Sequence, residues 1–427
     1  MFKFSVFNLA NSLEEYPGFD RSLGLVKPLC IALFLVSVGI SSGASAAASA
    51  APTPTLGQAT PAAAQAIPGI PEPPQLAATG YILIDGETGE TLAERNADQR
   101  LPPASLTKMM SSYLVIDELV RGRINETNMV NISVKAWKME GSRMYVKEGT
   151  QVSVIDLLRG EIIQSGNDAT VALAEYVGST EDAFVDMMNK KAQELGMKST
   201  HFQNAAGLPA PEHYTTAHDL GLLARAVIYN HPQHYALYAE KEFKYNNIRQ
   251  PNRNRLLFLD PTVDGLKTGH TEEAGYCLVA SAKREGTRLI AVVLGTKSEN
   301  ARAEETQKLL SYGFRNFETV GLYKANTEVT KTRVWSGKAP EVVLGLPKDI
   351  RMSLPKGRAN EVKANVHVNE TIKAPITAGQ ELGSLTIELD GKVINTQPLV
   401  ALQPVEEASF FARMWDKIKL FFRGLFS

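Results

Sequence analysis

Apolar positions along the chain fall into two textures, one mixed and one almost wholly strand-like. In the mixed region, residues 81–85 and 91–94 are short strand-like runs on either side of Gly86-Glu87-Thr88-Gly89, which predicts a hairpin. Helical spacing starts near Ala104 and continues to Arg121, with Gly122 as its stop. Residues 152–165, 169–178, 181–196 and 217–229 read as further helices, and 201–215 as a loop with Gly, Pro and Asn. Lys267 opens a strand; 276–283 and 288–295 are apolar runs joined at Glu285-Gly286, and a helix over 301–312 follows. Strands at both ends with helices between predict an α+β domain over 76–320, an antiparallel sheet covered by helices. Beyond Val320 the runs 329–334, 362–368 and 385–389 are separated by Gly and Pro, which predicts a small all-β sandwich over 321–406. The pattern holds no internal repeat.

The two ends read differently. Arg21 and Lys27 precede an apolar run over 29–40, and Ala44-Ser45-Ala46 and Ala48-Ser49-Ala50 are candidate cleavage sites, so residues 1–46 are expected to be a secretory signal peptide. An uncleaved anchor is the alternative. The acidic residues before Arg21 raise the further possibility of a start codon further in. Residues 47–75, rich in Ala and Pro, are expected to form a flexible leader. At the other end, apolar residues at 410, 411, 414, 415, 418, 421, 422, 425 and 426 keep a helical period, with Leu420 alone off the stripe. Arg413, Asp416, Lys417, Lys419 and Arg423 take the polar positions. Trp415 and five Phe residues on a basic amphipathic helix over 407–427 point to attachment to a membrane surface; docking on the protein itself is the alternative.

Composition changes this picture little. A net charge of −1 points away from nucleic acid as a partner. Of the two cysteines, Cys30 falls in the signal and Cys277 in an apolar strand pattern, where it is expected to be a buried core residue. His201, His213, His218, His231, His234 and His367 do not group as ligands, so neither metal nor other cofactor is expected.

Candidate chemistry lies in three short strings in fixed order: Ser105-Leu106-Thr107-Lys108, Ser165-Gly166-Asn167 and Lys267-Thr268-Gly269. A serine and a lysine three apart on a helix share a face, about 5–6 Å apart at Cβ. A lysine so placed serves as a base if it is uncharged, and both burial and a second cation lower its pKa; Lys267 is the candidate second cation. Ser165 offers a hydroxyl that passes a proton, and Asn167 an amide that holds both Lys108 and a substrate backbone. Gly269 leaves room for substrate to approach the strand edge. Together they form a kit for acyl transfer through a serine ester. A second Ser-x-x-Lys, Ser353-Leu354-Pro355-Lys356, carries a proline in a strand-like stretch, so its two side chains would not share a helix face.

In this order the strings resemble those of the penicillin-recognising serine acyltransferases. PASLTKMM, IIQSGNDA, VDGLKTGHT, AGYCLVASA and GFRNFETV extend the resemblance to low-molecular-mass D-alanyl-D-alanine carboxypeptidases of the type-5 penicillin-binding protein group, from about residue 68 to the C-terminus. The resemblance implies a β-lactamase/transpeptidase-like catalytic domain that removes the terminal D-alanine from peptidoglycan pentapeptide stems and is acylated by β-lactams. Ser105 would attack and Lys108 would be its base; Ser165 and Lys267 would relay a proton to the leaving D-alanine, and Asn167 would orient substrate. Thr268 and Arg302 would grip the terminal carboxylate, and backbone N–H groups of Ser105 and His270 would form the oxyanion hole. Ser142 in the Gly141-Ser142-Arg143 loop, and Asp219, are lesser candidates at the site edge. It also implies attachment at the periplasmic face of the inner membrane. The rival readings are a β-lactamase, for which no convincing Glu-x-x-Leu-Asn segment is present, a D,D-endopeptidase, and a catalytically idle penicillin-binding scaffold.

Overall fold

The structure, a computed structural model, describes residues 70–426, with side chains up to Phe422. The signal peptide expected over 1–46 and most of the leader expected over 47–75 lie outside the described residues.

In chain order, strands β1 (Gly80–Asp85) and β2 (Thr91–Arg95) come first, and a 3₁₀ turn (Ala104–Thr107) runs directly into α1 (Lys108–Val120). Next are β3 (Met129–Asn131), α2 (Val134–Trp137), β4 (Gln151–Ser153), α3 (Val154–Ile162), α4 (Asn167–Gly178), α5 (Glu181–Glu194) and α6 (Ala217–Asn230). The short α7 (Pro232–Tyr235), a second 3₁₀ turn (Ala236–Ala239), hairpin β5 (Glu242–Tyr245) and β6 (Ile248–Pro251), and α8 (Leu256–Leu259) lead to the sheet's remaining strands. These are β7 (Val263–Thr271), β8 (Gly275–Arg284) and β9 (Thr287–Thr296), followed by α9 (Glu299–Asn316).

The five strands pair antiparallel in the order β2-β1-β9-β8-β7, so the N-terminal hairpin joins the C-terminal strands, and β7 is an edge. The apolar run of β9 serves two cores. Leu289, Ala291 and Val293 pack with Leu309 and Leu310 of α9, whereas Ile290, Val292 and Leu294 pack with Leu220 and Leu223 of α6. A strand covered on both faces needs apolar residues at every position, which is why the run lacks alternation. Cys277 lies in this core, its thiol pushed up to about 11 by burial.

Helix starts follow side-chain caps: Ser153, Thr180, Thr216 and Ser298 each accept a hydrogen bond from the backbone N–H three residues on. The cap at Ser153 corrects the helix expected over 152–165: its first residues pair with β3, and its end at Ile162 leaves Ser165 outside with φ +64. Lys267 sits within β7 rather than at its start.

The C-terminal β-rich region comprises β10 (Phe317–Tyr323), β11 (Glu328–Trp335), β12 (Glu341–Gly345), β13 (Ile350–Pro355), β14 (Lys363–Val368), β15 (Ile372–Lys373), β16 (Glu381–Leu389) and β17 (Lys392–Ala401). β10 pairs with β13, and the others form a six-stranded sheet over a core that includes Leu344, Leu346, Leu385, Ile387 and Leu399. Ser353 on β13 donates to Asp85 Oδ2 at 2.7 Å, and Thr319 on β10 donates to the same oxygen at 2.6 Å. Lys356 instead reaches Glu285 at 3.3 Å. The second Ser-x-x-Lys copy is thus structural, joining this region to the end of β1. Last is α10 (Phe410–Phe426), whose Asp416 accepts from Ser336 N at 2.9 Å while Phe411 is 76% and Trp415 60% exposed.

Candidate active site

Ser105 lies in the 3₁₀ turn rather than in a regular α-helix, and this brings it nearer to Lys108. In 3₁₀ geometry residues three apart eclipse, and Lys108 Nζ stands 3.1 Å from Ser105 Oγ. The same nitrogen donates to Asn167 Oδ1 at 2.7 Å and to Ala206 O at 2.5 Å. Asn167 opens α4 and anchors its amide by donating from Nδ2 to Glu140 O at 2.6 Å. Ser165, just before it, accepts from Lys267 Nζ at 2.8 Å, and Lys267 also donates to Thr268 O at 3.1 Å. The three strings converge on one cleft of about 190 Å³, lined by Ser105, Ser142, Ser165, Arg253, Thr268, Gly269, His270, Tyr276, Glu299 and Arg302. A larger cleft, about 1020 Å³, runs along α9 beside Pro71 and Pro74 and contains none of the motif residues.

Both amines are buried, and burial disfavours the charged form. Burial brings Lys108 down to about 7, opposed by the nearby carboxyl of Glu161 and assisted by Arg253. Lys267 is driven well below the ordinary lysine range, first by burial and then by Lys108. The repulsion between the two buried amines is mutual, each disfavouring the other's proton, and the Arg253 guanidinium adds to it.

Arg302 projects from α9 into the cleft, 4% exposed, its Nη1 donating to Gly269 O at 3.5 Å and its Nη2 pairing with Glu299 at 3.2 Å. The exposed His270 ring lies 4.0 Å from the Tyr276 ring, centroid to centroid. Gly269 has a packing use beside the one expected. A Cβ there would meet Pro103 O at 3.1 Å, Leu106 Cγ at 3.2 Å and Ala104 Cβ at 3.3 Å. The missing side chain lets β7 pack on the turn that carries Ser105, and Gly269 also borders the cleft. Asp219 does not line the cleft; its carboxylate accepts from Ser199 N and Thr200 Oγ1 near the start of α6.

Two residues of the site escaped motif reading. Asp168 accepts from the backbone N–H groups of Met144, Tyr145 and Val146, which holds the loop bearing Ser142. Its signal was present, an acid in the first turn of a helix. Arg253, from the segment after β6, had no local signal at all. Among the described residues no cluster of His, Cys, Asp or Glu could hold a metal ion.

A serine beside a buried lysine, a second serine–lysine pair and an edge strand define a serine acyl-transfer enzyme. A family model described as D-alanyl-D-alanine carboxypeptidase matches residues 68–298, and one for the C-terminal domain of penicillin-binding protein 5 matches 317–407. The chain is 45% identical over 368 residues to D-alanyl-D-alanine carboxypeptidase DacA of Escherichia coli, covering 84% of this chain and 91% of that protein. It is 38% identical over 353 residues to DacF of Bacillus subtilis, covering 80% and 91%. Among solved structures, penicillin binding protein 5 from Haemophilus influenzae is similar, with a TM-score of 0.76 at 44% identity, over 78% of this chain and 99% of that one. Ampicillin-bound penicillin-binding protein D2 from Listeria monocytogenes is similar over 56% of this chain and 98% of that one, with a TM-score of 0.53 at 31% identity. The chain belongs to the D-alanyl-D-alanine carboxypeptidase family of serine peptidases, the peptidase S11 family. Its activity is that of a carboxypeptidase on peptidoglycan, within a family that binds β-lactams.

Proposed function

We propose that Ser105 is the nucleophile and Lys108 its general base, and that the remaining cleft residues divide the work of removing D-alanine from the pentapeptide stem. The carrying observation is the set of three contacts at Lys108 Nζ. A neutral amine has two N–H bonds and one lone pair. Asn167 Oδ1 and Ala206 O take the two N–H bonds, which leaves the lone pair for the Ser105 hydroxyl.

Ser105 Oγ adds to the carbonyl of the penultimate D-alanine as its proton passes to Lys108. Backbone N–H groups of Ser105 and His270 receive the developing oxyanion. The C–N bond then breaks, and the proton taken up by Lys108 is relayed through the Ser165–Lys267 pair to the departing amine, which leaves Lys108 neutral for the second half. Water, deprotonated by Lys108, hydrolyses the ester. A β-lactam follows the first half of this course, but its amine stays tethered to the acyl group. Asn167 orients the stem backbone, Thr268 and Arg302 hold the terminal carboxylate, and Ser142 borders the entrance.

The reading extends to location: an exported enzyme, periplasmic, held peripherally on the inner membrane by α10. Its support is the signal-like pattern over 1–46 and the apolar face of α10, exposed at Phe410, Phe411, Met414, Trp415, Ile418, Phe421 and Phe422. Among the described residues no helix is long and apolar enough to cross a membrane.

The test is Ser105→Ala. Mass analysis of a pentapeptide muropeptide should show no D-alanine release by the variant, and fluorescent penicillin should no longer label it covalently. Labelling that persists would exclude Ser105 as nucleophile.

A further inference from the structure

A cleft that receives the anionic end of a peptide has an acid in its own wall. Among the described residues that line the cleft, Glu299 carries the only carboxylate, beside the cations Arg253 and Arg302. The mechanism above gives it no task. It is the first residue of α9, capped by Ser298, and its Oε1 stands 3.2 Å from Arg302 Nη2.

An acid and a base three apart on a helix are ordinary neighbours. The same helix carries a second such pair, Glu305 and Lys308, at 2.8 Å. Burial is reversed between the two. In Glu305–Lys308 the acid is buried and the lysine half exposed. In Glu299–Arg302 the side chain of the cation is 5% exposed and that of the acid 58%. Arg302 also has other holds: its guanidinium lies 5.6 Å from the Tyr276 ring centroid, and its Nη1 donates to Gly269 O at 3.5 Å. A cation so enclosed keeps its place without an exposed carboxylate, and an ion pair with one member in solvent contributes little to stability. An acid in the first turn of a helix is favoured by the helix dipole, but that accounts for stability and not for a place in the cleft wall.

We propose that Glu299 is a specificity-determining residue: in the free enzyme its carboxylate holds Arg302, and it competes with the terminal carboxylate of the substrate for that guanidinium. A carboxylate pairs best with a guanidinium through two parallel N–H bonds. Glu299 engages Nη2 and Gly269 O engages Nη1, so an incoming carboxylate must displace Glu299 or share its donor. Two carboxylates on one cation also repel each other. Glu299 therefore weakens the hold of Arg302 on a free carboxyl end, and the pair together sets how strongly such an end is preferred over a neutral one. No covalent bond changes in this exchange.

This inference rests on Arg302 holding the terminal carboxylate, and the experiment separates the two. The full chain is given a peptide ending in free D-Ala-D-Ala and, separately, the same peptide with an amidated end. The value of kcat/KM is measured on both for the wild type, Glu299→Gln, Arg302→Ala and the double variant. Gln keeps the size of the side chain and removes its charge. In Glu299→Gln the ratio of kcat/KM for acid over amide should rise roughly two- to fivefold. The rise should vanish when Arg302 is also replaced, because the two side chains act through one contact. That pair of results supports the proposal.

A ratio unchanged or lowered in Glu299→Gln, with Arg302→Ala lowering it, overturns the role of Glu299 alone. A rise that persists without Arg302 overturns it too, since the acid then does not act through the guanidinium. A ratio that Arg302→Ala leaves at the wild-type value overturns both readings. A change in the stability of α9 would move the melting temperature and leave the ratio where it was. If Glu299→Gln does not fold, Glu299→Ala removes the same carboxylate and is judged by the same ratio.

Discussion

Arg302 is the residue whose setting most sharply constrains what can bind. It is a cation 4% exposed, held over the Tyr276 ring and tied to Glu299, and it lines the cleft. A buried cation with one exposed carboxylate partner is well placed to receive a second from a ligand. A hydrogen bond to a charged group contributes about 1.5–3 kcal/mol. Arg302→Ala should therefore raise KM for a peptide ending in free D-Ala-D-Ala by roughly tenfold or more, with kcat little changed. The same peptide with an amidated end should not distinguish the variant from the wild type. Steady-state kinetics on the two peptides check this, and an unchanged KM for the free acid would remove Arg302 from carboxylate binding.

At the scale of the element, the site depends on a 3₁₀ turn seated against an edge strand. Gly207 shows how close the packing is: with φ +81, a Cβ there would lie 1.9 Å from Ala104 O. Its neighbour Ala206 supplies one of the carbonyls on Lys108, and Asn204 Oδ1 accepts from Gly207 N at 2.7 Å and Leu208 N at 2.9 Å to hold that loop. The milder probe is Gly269→Ala. Its Cβ contacts of 3.1–3.3 Å require the turn to give by a few tenths of an ångström. Overpacking of this size costs about 1–3 kcal/mol, and a small displacement of a nucleophile slows its reaction disproportionately. The variant should fold with a lowered melting temperature and acylate on the order of ten times more slowly. Stopped-flow acylation beside a thermal melt measures both, and a wild-type acylation rate would show that the turn does not depend on this contact.

For the whole molecule, the question is what α10 does. Two of its polar residues are tied to the protein, Asp416 on Ser336 N and Arg413 to Glu407, while its aromatic face is left in the open. Burying such a face in the headgroup region is favourable in proportion to its apolar area. Removing residues 409–427 should release the protein from anionic lipid vesicles while hydrolysis of a small soluble peptide persists. Co-sedimentation and a D-alanine release assay test the two halves, and unchanged sedimentation would contradict attachment through this helix. The β-rich region should remain in place in the truncated chain, because Asp85, Thr319 and Ser353 join it to the catalytic sheet without any contribution from α10.

Read alone, the chain already determined an antiparallel sheet covered by helices, the all-β texture beyond Val320 and the three strings that meet at the cleft. These are local properties, in which the period of apolar side chains and the spacing of Ser105 and Lys108 act over one or two turns. Only the tertiary structure decided which groups are charged and which touch. Lys108 meets Asn167 across 59 residues of sequence, and Lys267 meets Ser165 across 102. Whether an amine keeps its proton depends on how much water the assembled fold excludes. Glu161 is an unremarkable helix residue in the sequence and an unpartnered buried carboxyl in the fold, and Arg253 and the packing use of Gly269 come to light only there. Solvent exclusion and long-range distance have no period along a chain, so no pattern in it could have announced them.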